Sequence, residues 1–191
     1  MLKNKFIVAV LAATGFMMSA AASAQVYVGG TIGQSKWNDN CNLTTKCDKT
    51  SSAYKLLGGY NLDKNFALEA SYFSLGKMNA TANVGVTNAN ISVKGTGFEF
   101  AGVAKTEFTE EFGGFAKLGV ACVKADSNSV ISGLGKYSQD TTSTQPVIGF
   151  GLTYKITKEL ALRGELEMRR VKLGNDKDNV RNLSVGLQYA F

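Results

Sequence analysis

Apolar and non-apolar residues alternate along most of the chain after residue 24. Read at a period of two, the side-chain period of a strand, the sequence resolves into eight segments. In the first, Val26, Val28, Gly30 and Ile32 lie opposite Tyr27, Gly29, Thr31 and Gly33. The second sets Tyr54, Leu56, Gly58, Tyr60 and Leu62 against Lys55, Leu57, Gly59 and Asn61. The third opposes Phe66, Leu68, Ala70 and Tyr72 to Ala67, Glu69, Ser71 and Phe73. The same alternation returns around Phe98–Phe108, Phe112–Cys122, Val147–Ile156 and Leu160–Arg169. The last segment, RNLSVGLQYAF, sets Leu183, Val185, Leu187, Tyr189 and Phe191 against Ser184, Gly186, Gln188 and Ala190. Each is close to the roughly 9–11 residues that a tilted strand needs to cross a bilayer.

The connections alternate in length. Asp63–Asn65, Thr109–Glu111 and Thr157–Glu159 are short, whereas 36–52, 76–90, 126–145 and 174–180 are long, polar and expected as loops. Short turns on one side and long loops on the other are the signature of an outer-membrane barrel. Tyr54, Tyr60, Tyr72, Tyr154, Tyr189, Phe66, Phe108, Phe112 and Phe191 fall near segment ends on the apolar stripe, where aromatic girdles belong. The pattern predicts an all-β fold, an eight-stranded antiparallel up-and-down transmembrane β-barrel with a polar interior filled by side chains.

Charge sharpens this reading. The face opposite the apolar stripe carries Glu69, Glu99, Glu107, Glu165 and Glu167 together with Lys55, Lys105, Lys117, Arg163 and Arg169. A soluble ligand-carrying barrel would place its apolar face inside; here the charges go inside and the apolar face meets lipid. In so narrow an interior opposite charges must pair, because an unpaired one carries a severe desolvation cost. They form a structural salt-bridge plug or, alternatively, line a gated ion path or supply a carboxylate pair that does chemistry.

The chain ends and its rarer residues set further bounds. Met1–Ala24 carries Lys3 and Lys5, an apolar run from Phe6 to Met18, and the small residues Ala22-Ser23-Ala24. This is the layout of a cleaved signal peptide, leaving a single barrel domain over residues 25–191. The formal net charge of +6 decides little about partners. Cys41 and Cys47 enclose a short polar stretch and are expected to pair in an oxidising compartment, whereas Cys122 sits in a strand pattern as a small hydrophobe. The chain has no His, which excludes Ser–His catalysis and His-ligated metal sites. The glycine pairs Gly29-Gly30, Gly58-Gly59 and Gly113-Gly114 lie within strands and precede no helix, so they are not phosphate-cradling loops. No catalytic residue, cofactor, metal or nucleic-acid partner is expected.

The stretches VYVGGTIGQS, LLGGYNLDKNFALEASYFSLG, FTEEFGGFAKLGVACVKAD, LTYKITKELALRGELEM and LSVGLQYAF together resemble the OmpA-like transmembrane domain family, in its barrel-only form. The resemblance implies a monomer in the bacterial outer membrane, in contact with lipid and lipopolysaccharide. By it, Glu69 and Glu165 fall where the family carries interior glutamates and Lys117 where it carries an interior base. Val103 falls near a family lysine, with Lys105 its nearby substitute. Tyr189 and Phe191 resemble the terminal aromatic signal read by the barrel-assembly machinery. The expected function is a non-enzymatic surface protein serving envelope integrity, or adhesion to a host or matrix ligand through its outer loops. The alternative is a narrow pore for small solutes or ions.

Overall fold

A computed structural model describes residues 25–37, 46–48, 50–84, 87–131, 135–173 and 176–191. The expected leader lies outside these residues. So does Cys41, and the side chain of Cys47 is likewise outside them, so the expected Cys41–Cys47 pair is not among the described features.

Nine strands are present among the described residues: β1 (Val26–Trp37), β2 (Lys46–Asp48), β3 (Thr50–Asn61), β4 (Phe66–Val84), β5 (Thr87–Glu107), β6 (Phe112–Ile131), β7 (Gly135–Lys155), β8 (Leu160–Leu173) and β9 (Asp176–Ala190). Eight of them form an antiparallel ring in the order β4-β3-β1-β9-β8-β7-β6-β5, closed by pairing of β4 with β5. The three-residue β2 adds to β4 outside the ring. β1 meets β9 from Tyr27–Ala190 to Trp37–Val180, so the closing strand runs to the end of the chain. The Phe191 amide donates to the Val26 carbonyl at 3.0 Å. Closure leaves no strand edge within the belt, which is what lets a sheet stand in lipid.

One end of the barrel is built from three tight turns of shared chemistry. Asp63 Oδ1 accepts from the Asn65 and Phe66 amides, both at 2.7 Å. Thr109 Oγ1 accepts from the Phe112 amide at 3.0 Å. Thr157 Oγ1 accepts from the Glu159 and Leu160 amides at 3.2 and 3.0 Å. A short polar side chain at the start of each turn thus satisfies the amides that the sheet leaves unpaired.

The opposite end differs from the sequence expectation. Most of 76–90 and 126–145 is strand, with β5 and β6 paired as far as Ala89–Ile131 and β6 and β7 as far as Ile131–Gly135. These stretches rise beyond the apolar belt. Without an apolar stripe their Thr, Ser and Asn content looks like loop, yet the ladder continues. The wall is uneven. The β7–β8 ladder begins at Val147–Arg169, and the two strands part above it. Between β4 and β5 the ladder shifts register between Ser74 and Lys77, where Gly76 takes φ +73°. A Cβ at Gly76 would collide with Ser51 and the Ser52 carbonyl, so the bulge requires glycine.

The outer wall is apolar: Ile32, Leu118, Leu183 and Phe100 are at least 60% exposed. The interior is stratified rather than uniformly polar. Toward the turns, Tyr27, Leu57, Ala67, Val103 and Phe115 pack together. Toward the hairpins, Trp37, Phe73, Leu75, Met78, Val123, Val171 and Val180 form a larger apolar layer. The buried charges lie between.

Candidate functional site: a charged layer inside the barrel

The layer draws on six strands. Lys55 comes from β3, Glu69 from β4, Glu99 from β5, Lys117 from β6, Arg163, Glu165, Glu167 and Arg169 from β8, and Asn182 from β9. All are at least 96% buried. The two-residue period of β8 brings Arg163, Glu165, Glu167 and Arg169 to the inner face as a column of two acids between two bases.

Lys117 is the hub. Its Nζ lies 2.5 Å from Glu99 Oε1, 2.6 Å from Glu165 Oε1 and 3.7 Å from Glu69 Oε1, and it also contacts Glu167 Oε1. Lys55 Nζ bridges Glu165 Oε2 at 2.6 Å and Glu167 Oε1 at 2.8 Å. The reach of Lys117 depends on its neighbour. In the register Lys117 stands beside Gly149, which stands beside Glu167. A Cβ at Gly149 would lie 2.8 Å from Lys117 Cε, so the missing side chain is the space through which the lysine crosses β7.

An arginine caps each side of the layer. Toward the turns, Arg163 Nη1 pairs with Glu69 Oε2 at 2.9 Å and Nε with Glu165 Oε2 at 3.3 Å, while Nη1 also donates to Gln188 Oε1 at 3.1 Å. Its guanidinium lies 4.1 Å from the Phe115 ring centroid. Toward the hairpins, Arg169 Nη2 pairs with Glu167 Oε2 at 2.7 Å and Glu99 Oε2 at 3.1 Å, and stacks 3.9 Å over Phe73. Tyr27 Oη donates to Glu69 Oε2 at 3.2 Å and Asn182 Nδ2 to Glu167 Oε2 at 3.1 Å. Stacking on the ring faces lets each guanidinium end the charged layer against apolar packing.

Four acids and four bases therefore meet in one buried cluster of no net charge. Every carboxylate faces at least two cations. Among the described residues no group of His, Cys, Asp or Glu is arranged to hold a metal ion.

Two charges expected in the network lie elsewhere. Lys105 sits near the turns, where its Nζ donates to Asn61 Oδ1 at 2.6 Å and lies 6.0 Å from the Tyr27 ring. It borders a small cavity of about 150 Å³ with Tyr27, Val103 and Gln188. Glu107 pairs with Lys155 at 2.6 Å, both exposed at the rim. Strand parity fixes the face of such residues but not their height. Val103 lies in the lower apolar cluster. Tyr189 and Phe191 are exposed on the outer wall and meet edge to face at 5.1 Å. Cys122 also faces outward, its Sγ 3.6 Å from Thr144 Oγ1. Sequence reasoning missed the hydrogen bond of Tyr27, the stacking of both arginines and the crossing over β7. The third had a visible signal in the inward glycines Gly149 and Gly151.

Comparisons with known proteins agree with this architecture. The chain is 27% identical to outer membrane protein A of Salmonella typhi over all of its own length and 56% of that protein, so it spans about half of that relative. It is 28% identical to an uncharacterized protein of Haemophilus influenzae, covering 92% of this chain and 94% of the other. Among solved structures, Neisserial surface protein A superposes with a TM-score of 0.59 at 13% identity, over 88% of this chain and 98% of that one. The attachment invasion locus protein of Yersinia pestis gives 0.55 at 16% identity, over 87% and 97%. These two share the fold, a closed eight-stranded barrel. The family model for the OmpA-like transmembrane domain matches residues 21–191, and the chain belongs to that family, as an integral β-barrel of the outer membrane.

Proposed function

We propose that this protein is a non-enzymatic surface barrel, which holds its tall hairpins outside the cell and thereby supports envelope integrity or contacts a host or matrix ligand. In this reading Met1–Ala24 is removed on export, the short turns face the periplasm, and the barrel works as a monomer among lipopolysaccharide. The observation that carries the reading is the stratified interior. A neutral, cross-linked charged layer is closed above and below by apolar packing, so the cylinder acts as a rigid post. Paired strands carry that rigidity past the belt into β5, β6 and β7. The attachment invasion locus protein, which shares the fold, has been solved with the heparin analogue sucrose octasulfate. That precedent supports looking for polyanionic ligands at the hairpin end.

Planar-bilayer recording of the refolded protein tests the post against the pore. Silent bilayers are the expected result. Steady openings that change when Glu165 or Lys117 is substituted would overturn it in favour of a narrow pore. Binding of intact cells, with and without the protein, to matrix and serum components then tests the outward role.

A further inference from the structure

We propose that the outer wall formed by β1, β9 and β8 holds one phosphorylated lipid, its phosphate on Lys36, Arg170 and Arg181 and an acyl chain in the groove over Gly164. The proposal rests on the reading that this wall faces lipopolysaccharide, and it names the place and the chemistry.

Register brings the cations together. Arg181 on β9 stands opposite Lys36 on β1 and opposite Met168 on β8, and Arg170 follows two residues above Met168. All three cations are exposed, while their chain neighbours Ser35, Trp37, Arg169, Val171, Val180 and Asn182 are buried inside. They therefore point outward, at the height where the apolar stripe ends. Below them the stripe runs through Met168, Leu166, Leu183 and Ile32. None of the three has a carboxylate within ion-pair distance among the described residues. The opposite wall makes the contrast. There Lys124, also outward, lies 3.0 Å from Asp126 and 3.1 Å from Asp140, and brings its own counter-ions. Three cations with no carboxylate partner among the described residues, at a headgroup boundary, suit a phosphate.

The groove supplies the other half of the ligand. A depression of about 680 Å³ is lined by Ile32, Phe150, Leu152, Gly164, Leu166 and Leu183. It is a shallow depression open to the surrounding lipid. Its floor exists because Gly164 has no side chain, and a Cβ there would meet nothing within 4 Å. The upper end, at Leu166 and Leu183, is one outward residue below Met168 and Arg181. A free phosphate would use the cations and leave the groove without purpose. A phosphorylated amphiphile uses both.

Native mass spectrometry of the folded barrel in zwitterionic micelles tests this with three probes: bis-phosphorylated lipid A, the same lipid stripped of phosphate, and inorganic phosphate. Wild-type protein should retain one lipid A, and loss of the phosphates should weaken retention roughly tenfold or more. The triple variant Lys36→Gln/Arg170→Gln/Arg181→Gln should lose a similar factor. Gly164→Leu should weaken lipid A several-fold while preserving the preference for phosphate. Lys124→Gln should change nothing. Heat-modified gel mobility confirms that each variant is folded. Equal retention by the triple variant, or equal loss in Lys124→Gln, would sink the site while leaving general lipopolysaccharide contact intact. A wild-type barrel that retains no lipid A would remove the broader reading as well. Inorganic phosphate held as tightly as lipid A would replace the lipid with a soluble anion.

Discussion

Two buried regions of the barrel, the charged layer and the apolar layer above it, exclude water equally well but are held by different physics. The layer around Trp37, Phe73, Leu75 and Val123 depends on shape and tolerates a lost methyl group at a graded cost. The layer around Lys117 depends on bookkeeping of charge. It is neutral because acids and bases match in number, and removal of a single one leaves a desolvated opposite charge behind. A barrel interior can thus be forgiving at one height and unforgiving a few residues away.

The largest effect should come from breaking that neutrality. Lys117→Met leaves Glu69, Glu99, Glu165 and Glu167 with too few cations, and should cost about 3–5 kcal/mol in urea unfolding from lipid vesicles. The double variant Lys117→Met/Glu167→Gln should recover part of that loss. Additive losses in the cycle would show that the two do not act as one unit. Next, Leu75→Ala in the apolar layer should cost about 2–4 kcal/mol, with the bilayer still electrically silent because the charged layer remains. Conductance in that variant would mean the apolar layer, not the charged one, is the seal.

Smaller changes mark the limits of the comparison. Asp63→Ala deprives the Asn65 and Phe66 amides of their acceptor at an exposed turn, and should cost about 1 kcal/mol, seen as faster amide exchange there. Smallest of all is the surface pair. Hydrogen bonds and charge from Asp126 and Asp140 raise the titration of Lys124 above the usual lysine range. A raised folded value means its contribution is whole at neutral pH and fades only as pH climbs through that raised value. Since Lys124 is open to water, salt should screen the effect. NMR titration of its ammonium at low and high salt should show the shift shrinking; a salt-independent shift would contradict the assignment.

Much of this was legible in the sequence because a two-residue period reports which face a residue takes. The columns Leu160–Met168 and Arg163–Arg169, and the turns at Asp63, Thr109 and Thr157, follow from it directly. Height is a different quantity. It is set by strand tilt and register across the whole ring, which no single segment encodes. Lys105 has the parity of Lys117's partners and still lies near the rim with Asn61. Trp37 and Val180 fall in or beside stretches that look like loop, and the apolar layer they help to build was hidden for the same reason. The hairpin extensions were missed because their Thr, Ser and Asn content lacks the apolar alternation by which strands are recognised.

The crossing of Lys117 over Gly149 bears on how the barrel is made. The partners of this one ammonium come from β4, β5 and β8, more than forty residues apart along the chain for Glu69 and Glu167. A partly assembled barrel without β8 would hold Lys55 without Glu165 and Glu167, and Glu69 and Glu99 without their arginines, at bilayer depth. Such a species is penalised in proportion to its depth in the lipid. Insertion is thereby biased toward a single concerted event in which β8 brings both the acids and the bases that the other strands lack.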